Sequence, residues 1–236
     1  MQADRDLIKE LRLLYRDSTR RERTFYWQAR LQPPRYPNMY MTCITDGATQ
    51  TMYLCPRFIG LDHGRDCLQV KLVGTLFHGH CYIVHLVYPH VPDDANLVCH
   101  CLDTAIEEVV KVRVGKDQPD FLPPNFRTQL DGVSTNWGSV TFAHHHYLQL
   151  RGLFGEKVDV VRNRVGSTHE DIDATFGVAK EHLKFLDIIS PLQLKTEIAR
   201  AFATLKVPVV ILDVDATLDY RAFYAEHIDP KLGGYG

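Results

Sequence analysis

ITDG at residues 44–47, QLDG at residues 129–132 and THEDID at residues 168–173 are the three segments that indicate the fold class. The first two segments each end an apolar run that predicts a β-strand, and the third opens an amphipathic stretch that predicts a helix. Each segment therefore carries carboxylates where a strand ends or a helix begins. Carboxylate oxygens are the hard ligands that Mg²⁺ or Mn²⁺ prefers, and a site of this kind is typical of phosphoryl transfer.

The elements between these segments predict the order β-β-β-α-β-α-β-α. Apolar runs at residues 68–77 and 81–88, separated by His78 and Gly79, predict an antiparallel hairpin. Asp93 and Asp94 can cap a helix from about residue 97 to 112, and later helices are expected at about 137–150 and 168–186. This order predicts an α/β fold of the ribonuclease H-like class, a mixed five-stranded sheet flanked by helices.

Three parts of the chain are predicted. Residues 1–37 form a basic and aromatic segment, helical over residues 4–30 and ended by Pro33 and Pro34. Residues 38–190 form the ribonuclease H-like catalytic domain. Residues 191–236 form a C-terminal α/β appendage, packed on the same core, with a strand at 207–212 between two helices.

The composition excludes several classes of protein. The 236 residues are 45% apolar and carry a formal net charge of -2, which suits one domain with appendages and excludes a globally basic protein. Because no apolar stretch could span a membrane and the N-terminus is too polar for a secretory signal, we expect a soluble intracellular protein without a membrane partner. The six cysteines form no CxxC pair and are expected to be mostly buried free thiols.

Positive charge is concentrated near the N-terminus. Residues 1–35 contain nine Lys and Arg against five Asp and Glu, and Arg20, Arg21 and Arg23 adjoin the aromatic run FYW at 25–27. One interpretation is a solvated helix face with a few aromatic anchors. The other is a patch that follows a nucleic-acid backbone.

A helical projection distinguishes among the acids of the late helix. Asp173 and His169 lie to one side of its apolar stripe with Glu170 beyond them, and Asp171 lies on the opposite flank. We therefore expect Asp173 to be the first metal ligand and Glu170 the second, and Asp171 to be a first-turn acid favoured by the helix dipole. The stripe itself must face the sheet and consists of Ile172, Phe176, Ala179 and Leu183.

Simpler roles remain open for several of these residues. Asp46 and Asp131 each precede glycine, a common turn signal. His169 would either bond nearby backbone or, beside two metals, orient the attacking water or protonate the leaving oxygen. Asn136 would either cap the next helix or orient a phosphate.

Two histidine and cysteine patterns resemble metal sites but do not predict one. His144, His145 and His146 are consecutive in a helix, where neighbours point about 100° apart, so they cannot all bind one ion and a surface run is expected. The sequence CHC at residues 99–101 lies in a helix and fails for the same reason. No partner stands at zinc-finger spacing.

The sequence VVILDVDATL at residues 209–218 resembles the aspartyl-phosphate motif of haloacid-dehalogenase-like phosphatases. In that family the motif lies on an early strand and further catalytic elements follow it. Only 19 residues follow Thr217 here. Asp213 and Asp215 are therefore better explained as turn residues at the end of a strand.

Two segments carry a resemblance to a known family, QLDG with Asn136 and the stretch from Val165 to Phe176. They resemble the ribonuclease H-like, DDE or integrase-like domain of eukaryotic transposable-element-derived proteins, whose late motif usually reads GHTHEDID. The likeness extends to residues 45–50 and to His78-Gly79, and covers about residues 35–190. Ser167 stands where the family usually has histidine, so this chain lacks the side chain for any role of that second histidine.

The resemblance implies a transposase- or integrase-like nuclease that is located in the nucleus. It implies binding to nucleic acid, DNA rather than RNA, and it allows an oligomer. In this hypothesis Asp46 bridges two Mg²⁺ or Mn²⁺ ions and Asp131 holds one of them. Glu170 and Asp173 hold the other, and His169 assists. The nucleic acid is contacted by Arg20, Arg21, Arg23 and Asn136. The alternative is a degenerate or domesticated domain that binds nucleic acid or protein without catalysis.

Overall fold

The computed structural model describes residues 2–48, 53–60, 67–130, 138–162 and 170–228. The helices in this part of the chain are α1 (Gln2–Arg35), α2 (Ala95–Val114), α3 (Ser139–Leu150), α4 (Glu170–Leu183), α5 (Pro191–Phe202) and α6 (Tyr220–His227). The strands are β1 (Tyr40–Gly47), β2 (Leu54–Cys55), β3 (Leu68–Gln69), β4 (Lys71–Phe77), β5 (Cys81–Val87), β6 (Asn125–Leu130), β7 (Lys157–Arg162) and β8 (Val209–Val214).

The main sheet has the strand order β7-β6-β1-β4-β5-β8. β4 is antiparallel to both β1 and β5, whereas β6 runs parallel to β1 and β7 runs parallel to β6. An antiparallel hairpin set that continues into parallel strands through helical crossovers is the ribonuclease H-like arrangement, so the predicted fold class is confirmed.

The prediction of five strands is wrong, because the strand of the C-terminal appendage joins the same sheet. β8 pairs in parallel with β5 from Tyr82↔Val209 to Val87↔Val214. Its apolar sequence marked it as a strand, but local sequence carries no information on which sheet edge a distant strand extends. β2 and β3 form a separate two-stranded sheet.

Helices cover both faces of the main sheet. α4, α5 and one side chain of α1, Tyr26, share an apolar cluster with Ile44 and Leu72 on one face. α2 and α3 share another cluster with Met41 and Ile83 on the opposite face. The fold is therefore a three-layer α/β/α arrangement, and the two faces of β1 look towards different helices.

The prediction that α1 ends before its two prolines is wrong, because the helix continues through Pro33 and Pro34 to Arg35. Proline costs a helix one backbone hydrogen bond and clashes with the preceding turn. Here packing offsets that cost, because Pro33 is buried and Pro34 lies against the β4–β5 turn. Gly79 in that turn has φ of 78°, and a Cβ on it would stand 3.0 Å from the Pro34 ring.

The predicted surface run of histidines is wrong for two of its three members. His144 and His145 are buried in α3, and only His146 is exposed. A polar environment makes this burial tolerable: His144 Nδ1 lies 2.6 Å from the Tyr224 hydroxyl, and Nε2 lies 2.9 Å from an Asp103 carboxylate oxygen. These contacts tie α6 to α2 and α3.

The cysteine prediction is confirmed, since five of the six cysteines are buried free thiols and Cys67 is half-buried. Asp94 caps α2, as predicted, by accepting from the backbone N–H groups of Asn96 and Leu97. In the described part of the chain, no helix is long and apolar enough to cross a membrane.

Candidate active site at the ends of two parallel strands

The pairing of β6 with β1 stops two residues before β1 ends at Gly47. Their parallel register pairs Thr45 with Leu130, the residues that immediately precede Asp46 and Asp131. Asp46 is half-buried, and its Oδ1 accepts a hydrogen bond from the Gly47 backbone N–H at 2.7 Å. Asp131 and Asn136 lie outside the described residues. The strands that lead to the two acids therefore end at the same edge of the sheet.

Asp46 lies on the sheet face that α4 covers. Ile44 and Ala48, two residues before and after it, belong to the cluster formed with α4, and successive strand residues alternate between faces. The cross-strand partner of Asp46 is Gly74. A Cβ at Gly74 would meet the Tyr82 hydroxyl and stand 3.0 Å from Phe176 Cζ, so a glycine is needed for this close approach.

The Tyr82 hydroxyl is a buried polar group beside this site. It has no hydrogen-bond partner among the described residues. Burial, with smaller contributions from Tyr53 and Asp46, raises the pKa of Tyr82 well above its usual value. The hydroxyl therefore stays protonated and can donate a hydrogen bond.

α4 runs alongside β1 in the same direction. Near its start, Asp171 lies 3.5 Å from His78, the residue that follows β4 and contacts Thr42 early in β1. At its end, the Leu183 carbonyl accepts from Arg57, which lies just beyond β2. Phe176 lies between these ends, against Gly74.

Because α4 runs in the same direction as β1, its two predicted metal ligands lie at different distances from Asp46 along the helix axis. Asp173 precedes Phe176 by three residues, about 4.5 Å along the helix, and Glu170 precedes it by about 9 Å. Phe176 packs against Gly74, the cross-strand partner of Asp46. Along the helix axis, Asp173 is therefore nearer to Asp46 than Glu170 is. The exposed side chain of Asp173 lies on the same side of the sheet as the face of β1 that carries Asp46.

The predicted stripe of α4 is confirmed, because all four of its members are buried. Asp173 is exposed. His169 and the side chain of Glu170 lie outside what the structure describes, so their predicted roles remain predictions.

Asp171 has a larger role than the predicted first-turn acid. Its Oδ1 accepts from Arg30 Nη1 at 2.5 Å, and its Oδ2 accepts from the Tyr26 hydroxyl at 2.7 Å. Oδ2 also lies 3.5 Å from His78 Nε2, whose ring is held by Thr42. Burial alone would raise the pKa of Asp171, but the His78 and Tyr26 contacts and the Arg30 charge together lower it. We call these contacts the Asp171 clamp.

The clamp attaches α1 to α4, and no pattern in the sequence indicated it. Tyr26 and Arg30 are 145 and 141 residues away from Asp171 along the chain. The aromatic run and the arginine were visible in the sequence, but a carboxylate partner that far away can be identified only in the folded chain.

The basic segment, which we define as Arg20, Arg21 and Arg23, is exposed on α1. The aromatic residues after it divide into two kinds. Tyr26 packs against the core, whereas Phe25 and Trp27 are exposed and lie beneath guanidinium groups of Arg127 and Arg30, at 4.4 and 4.7 Å. The structure therefore contains both the aromatic anchor expected of a solvated helix face and the exposed cations that a nucleic-acid-binding patch requires.

Lys180 is a candidate that sequence reasoning missed. It is exposed and follows Asp173 by seven residues on α4, about 20° away on the helical projection. A cation on this flank, further along towards the end of β1, suits a phosphate. The heptad spacing was the signal that could have identified it.

The donor chemistry of the site fits a hard divalent cation. Asp46 supplies carboxylate oxygens at the strand end, and Asp173 supplies them from the helix above the same face. Within the described ranges, no group of three or more His, Cys, Asp and Glu residues is close enough to hold a metal ion. Two further predicted ligands, Asp131 and the Glu170 side chain, fall outside those ranges.

A family model described as a domain of unknown function, DUF7869, matches residues 62–232. No curated protein sequence matches the chain. Among solved structures, the chain is similar to a Mos1 transposase paired-end complex with the left transposon end, at 11% identity and a TM-score of 0.47 over 81% of this chain and 56% of that one.

A pre-cleavage Mos1 transpososome is similar at 13% identity and a TM-score of 0.45, over 80% of this chain and 56% of that one. The human cytomegalovirus terminase nuclease domain is similar at 10% identity and a TM-score of 0.27, over 89% and 85%. The chain thus spans little more than half of the transposase chains. Likeness at this level concerns the fold and carries no argument about activity.

Proposed function

The chain belongs to the DUF7869 family, and we propose that it is a divalent-metal-dependent nucleic-acid phosphotransferase, a nuclease of the transposase or integrase type. One observation carries the proposal: the parallel pairing of β1 with β6 ends at Thr45 and Leu130, each followed in the chain by an aspartate, and Asp46 lies on the face covered by the acid-bearing helix α4. We place the catalytic domain at residues 38–190.

The residues that would hold Mg²⁺ or Mn²⁺ are Asp46, Asp131 and Asp173, with Glu170 in a supporting role. A pair of such ions would activate water or a 3′-hydroxyl and stabilise the leaving oxygen. Asp46 is suited to a shared position because the Gly47 N–H fixes one of its oxygens.

Other groups of the chain would act on the proton and the phosphate. His169 would orient the attacking water or protonate the leaving oxygen. Lys180, on the flank of Asp173, would neutralise a phosphate. The basic segment and Asn136 would position the strand by phosphate contacts, which carry no sequence information. DNA is the expected substrate, and a nuclear location would follow from it.

A second candidate is a ribonuclease H-like domain that binds nucleic acid or protein without cutting. The observation that favours it is the absence, within the described ranges, of any acidic or histidine cluster close enough to hold a metal. The two candidates share a fold and differ in whether the strand-end acids act together.

Cleavage of labelled DNA and RNA in Mg²⁺ or Mn²⁺ distinguishes the two candidates. We expect the wild-type chain to cut one of them and Asp46→Asn to lose the activity. Asp215→Asn is the matched control, since Asp215 is an exposed acid directly after β8. Activity in Asp46→Asn equal to that of the control would exclude the proposed site.

A further inference from the structure

The first half of α1 is a helix exposed on every side, although one of its faces is apolar. All residues from 5 to 17 are exposed, and we call residues 5–18 the arm. Its apolar face spans about 120° of the helical projection. The side chains on this face are Leu7, Ile8, Leu11, Leu14 and Tyr15. An exposed apolar patch of this kind marks an interaction surface.

This face continues the one by which α1 packs on the domain. Further along α1 the same side of the helix carries Tyr26, which packs on the core, and Ala29 and Pro33, which are buried. Ser18 and Glu22 lie on this side between the two halves, so the two apolar stretches share one side of α1 but are separated by polar residues. The side of α1 that packs on the domain is therefore apolar again in the arm, where no described part of the chain covers it.

The charges beside the apolar face are opposite on its two sides. One side is the acidic flank, with Asp6, Glu10 and Asp17, and the other is the basic flank, with Arg5, Arg12 and Arg16. Each flank lies about 100–140° from the centre of the apolar face. Two such helices in parallel place each acidic flank against a basic one, whereas an antiparallel pair places like charges together.

We propose that the arm is a self-association surface that pairs in parallel with the arm of a second copy of this chain. Complementary flanks select this occupant. A helix lying on an anionic membrane carries cations on its polar face, and here one flank is acidic. Phosphates would bind the basic flank and leave the apolar face bare. Pairing also stabilises a helix segment that would be marginal alone in water.

The first test measures the mass of the full chain by light scattering over a dilution series without nucleic acid. We expect a dimer that dissociates on dilution, and we expect Leu11→Ser to be monomeric at every concentration. Leu13→Ser is the matched control, since Leu13 is 60% exposed and Leu11 55%, but Leu13 lies on the opposite side of the arm. A monomeric wild type, or equal effects of the two substitutions, would overturn the proposal.

The second test uses the charges. Glu10→Arg with Asp17→Arg makes both flanks basic, and Arg5→Glu with Arg12→Glu makes both acidic. Each double variant should be monomeric, and an equimolar mixture should recover the dimer. Because these residues are exposed, all variants should keep the melting temperature that the wild type shows at dilutions where it is monomeric. Double variants that dimerise as well as wild type would show that the flanks do not pair.

The third test fixes the orientation. In a parallel pair, Leu7→Cys faces its counterpart and should form an intermolecular disulfide on mild oxidation. The wild-type chain, whose native thiols are buried except for half-buried Cys67, is the control. Cross-linking only between Leu7→Cys and Leu14→Cys chains would indicate an antiparallel pair and would contradict the charge argument.

Discussion

Replacing Asp171 with alanine tests whether the clamp, rather than the helix dipole, explains this acid. The substitution removes the hydrogen bonds from Arg30 at 2.5 Å and Tyr26 at 2.7 Å. A hydrogen bond to a charged group contributes about 1.5–3 kcal/mol. The Arg30 side chain is 35% exposed and can regain water, so we discount its share. The expected loss is about 2–3 kcal/mol, against about 0.3–1 kcal/mol for a first-turn dipole contribution alone.

Urea unfolding at neutral pH measures this loss, with Asp173→Ala as the control on the same turn. Asp173 is exposed, and its removal should change the free energy of unfolding little. The lowered pKa of Asp171 adds a pH dependence. Its stabilisation should be complete above the unfolded value of about 3.9 and should fade as pH falls through the folded pKa. A loss below about 1 kcal/mol, equal to that of Asp173→Ala, would refute the clamp.

Further outcomes are expected for the metal site, the basic segment and Gly74. Mn²⁺ should raise the melting temperature of the wild type by mass action, and Asp173→Ala should abolish cleavage without destabilising the metal-free fold; an active Asp173→Ala would exclude this ligand. Replacing the three arginines of the basic segment with alanine should weaken nucleic-acid binding and flatten its salt dependence, because fewer counterions are released. An unchanged salt slope would show that the segment does not contact the nucleic acid. Gly74→Ala should cost about 1–3 kcal/mol in thermal unfolding through its clash with Tyr82 and Phe176. Gly177→Ala, with open space around it, is the control, and equal effects would show that the close approach is unimportant.

The parts of the fold that the sequence predicted are those fixed by local periodicity. The hairpin of β4 and β5, the cap at Asp94 and the buried stripe of α4 each depend on residues within a few positions of one another. The ribonuclease H-like order followed because short crossovers between strands allow few topologies.

The errors arose where distant parts of the chain determine the outcome. The edge joined by β8 depends on pairing with β5, more than one hundred residues earlier. The burial of His144 depends on Asp103 and Tyr224, from two other helices. For the candidate site, the sequence could predict which acids end strands, but the alignment of α4 with β1 appeared only in the fold.

Calorimetric titration of Mn²⁺ into the metal-free chain measures the proposed metal site without requiring the right substrate. We expect a binding heat in the wild type that is lost in Asp46→Asn and kept in Asp215→Asn. No Mn²⁺ binding by the wild type, or the same heat in Asp46→Asn, would contradict a metal site at the ends of β1 and β6.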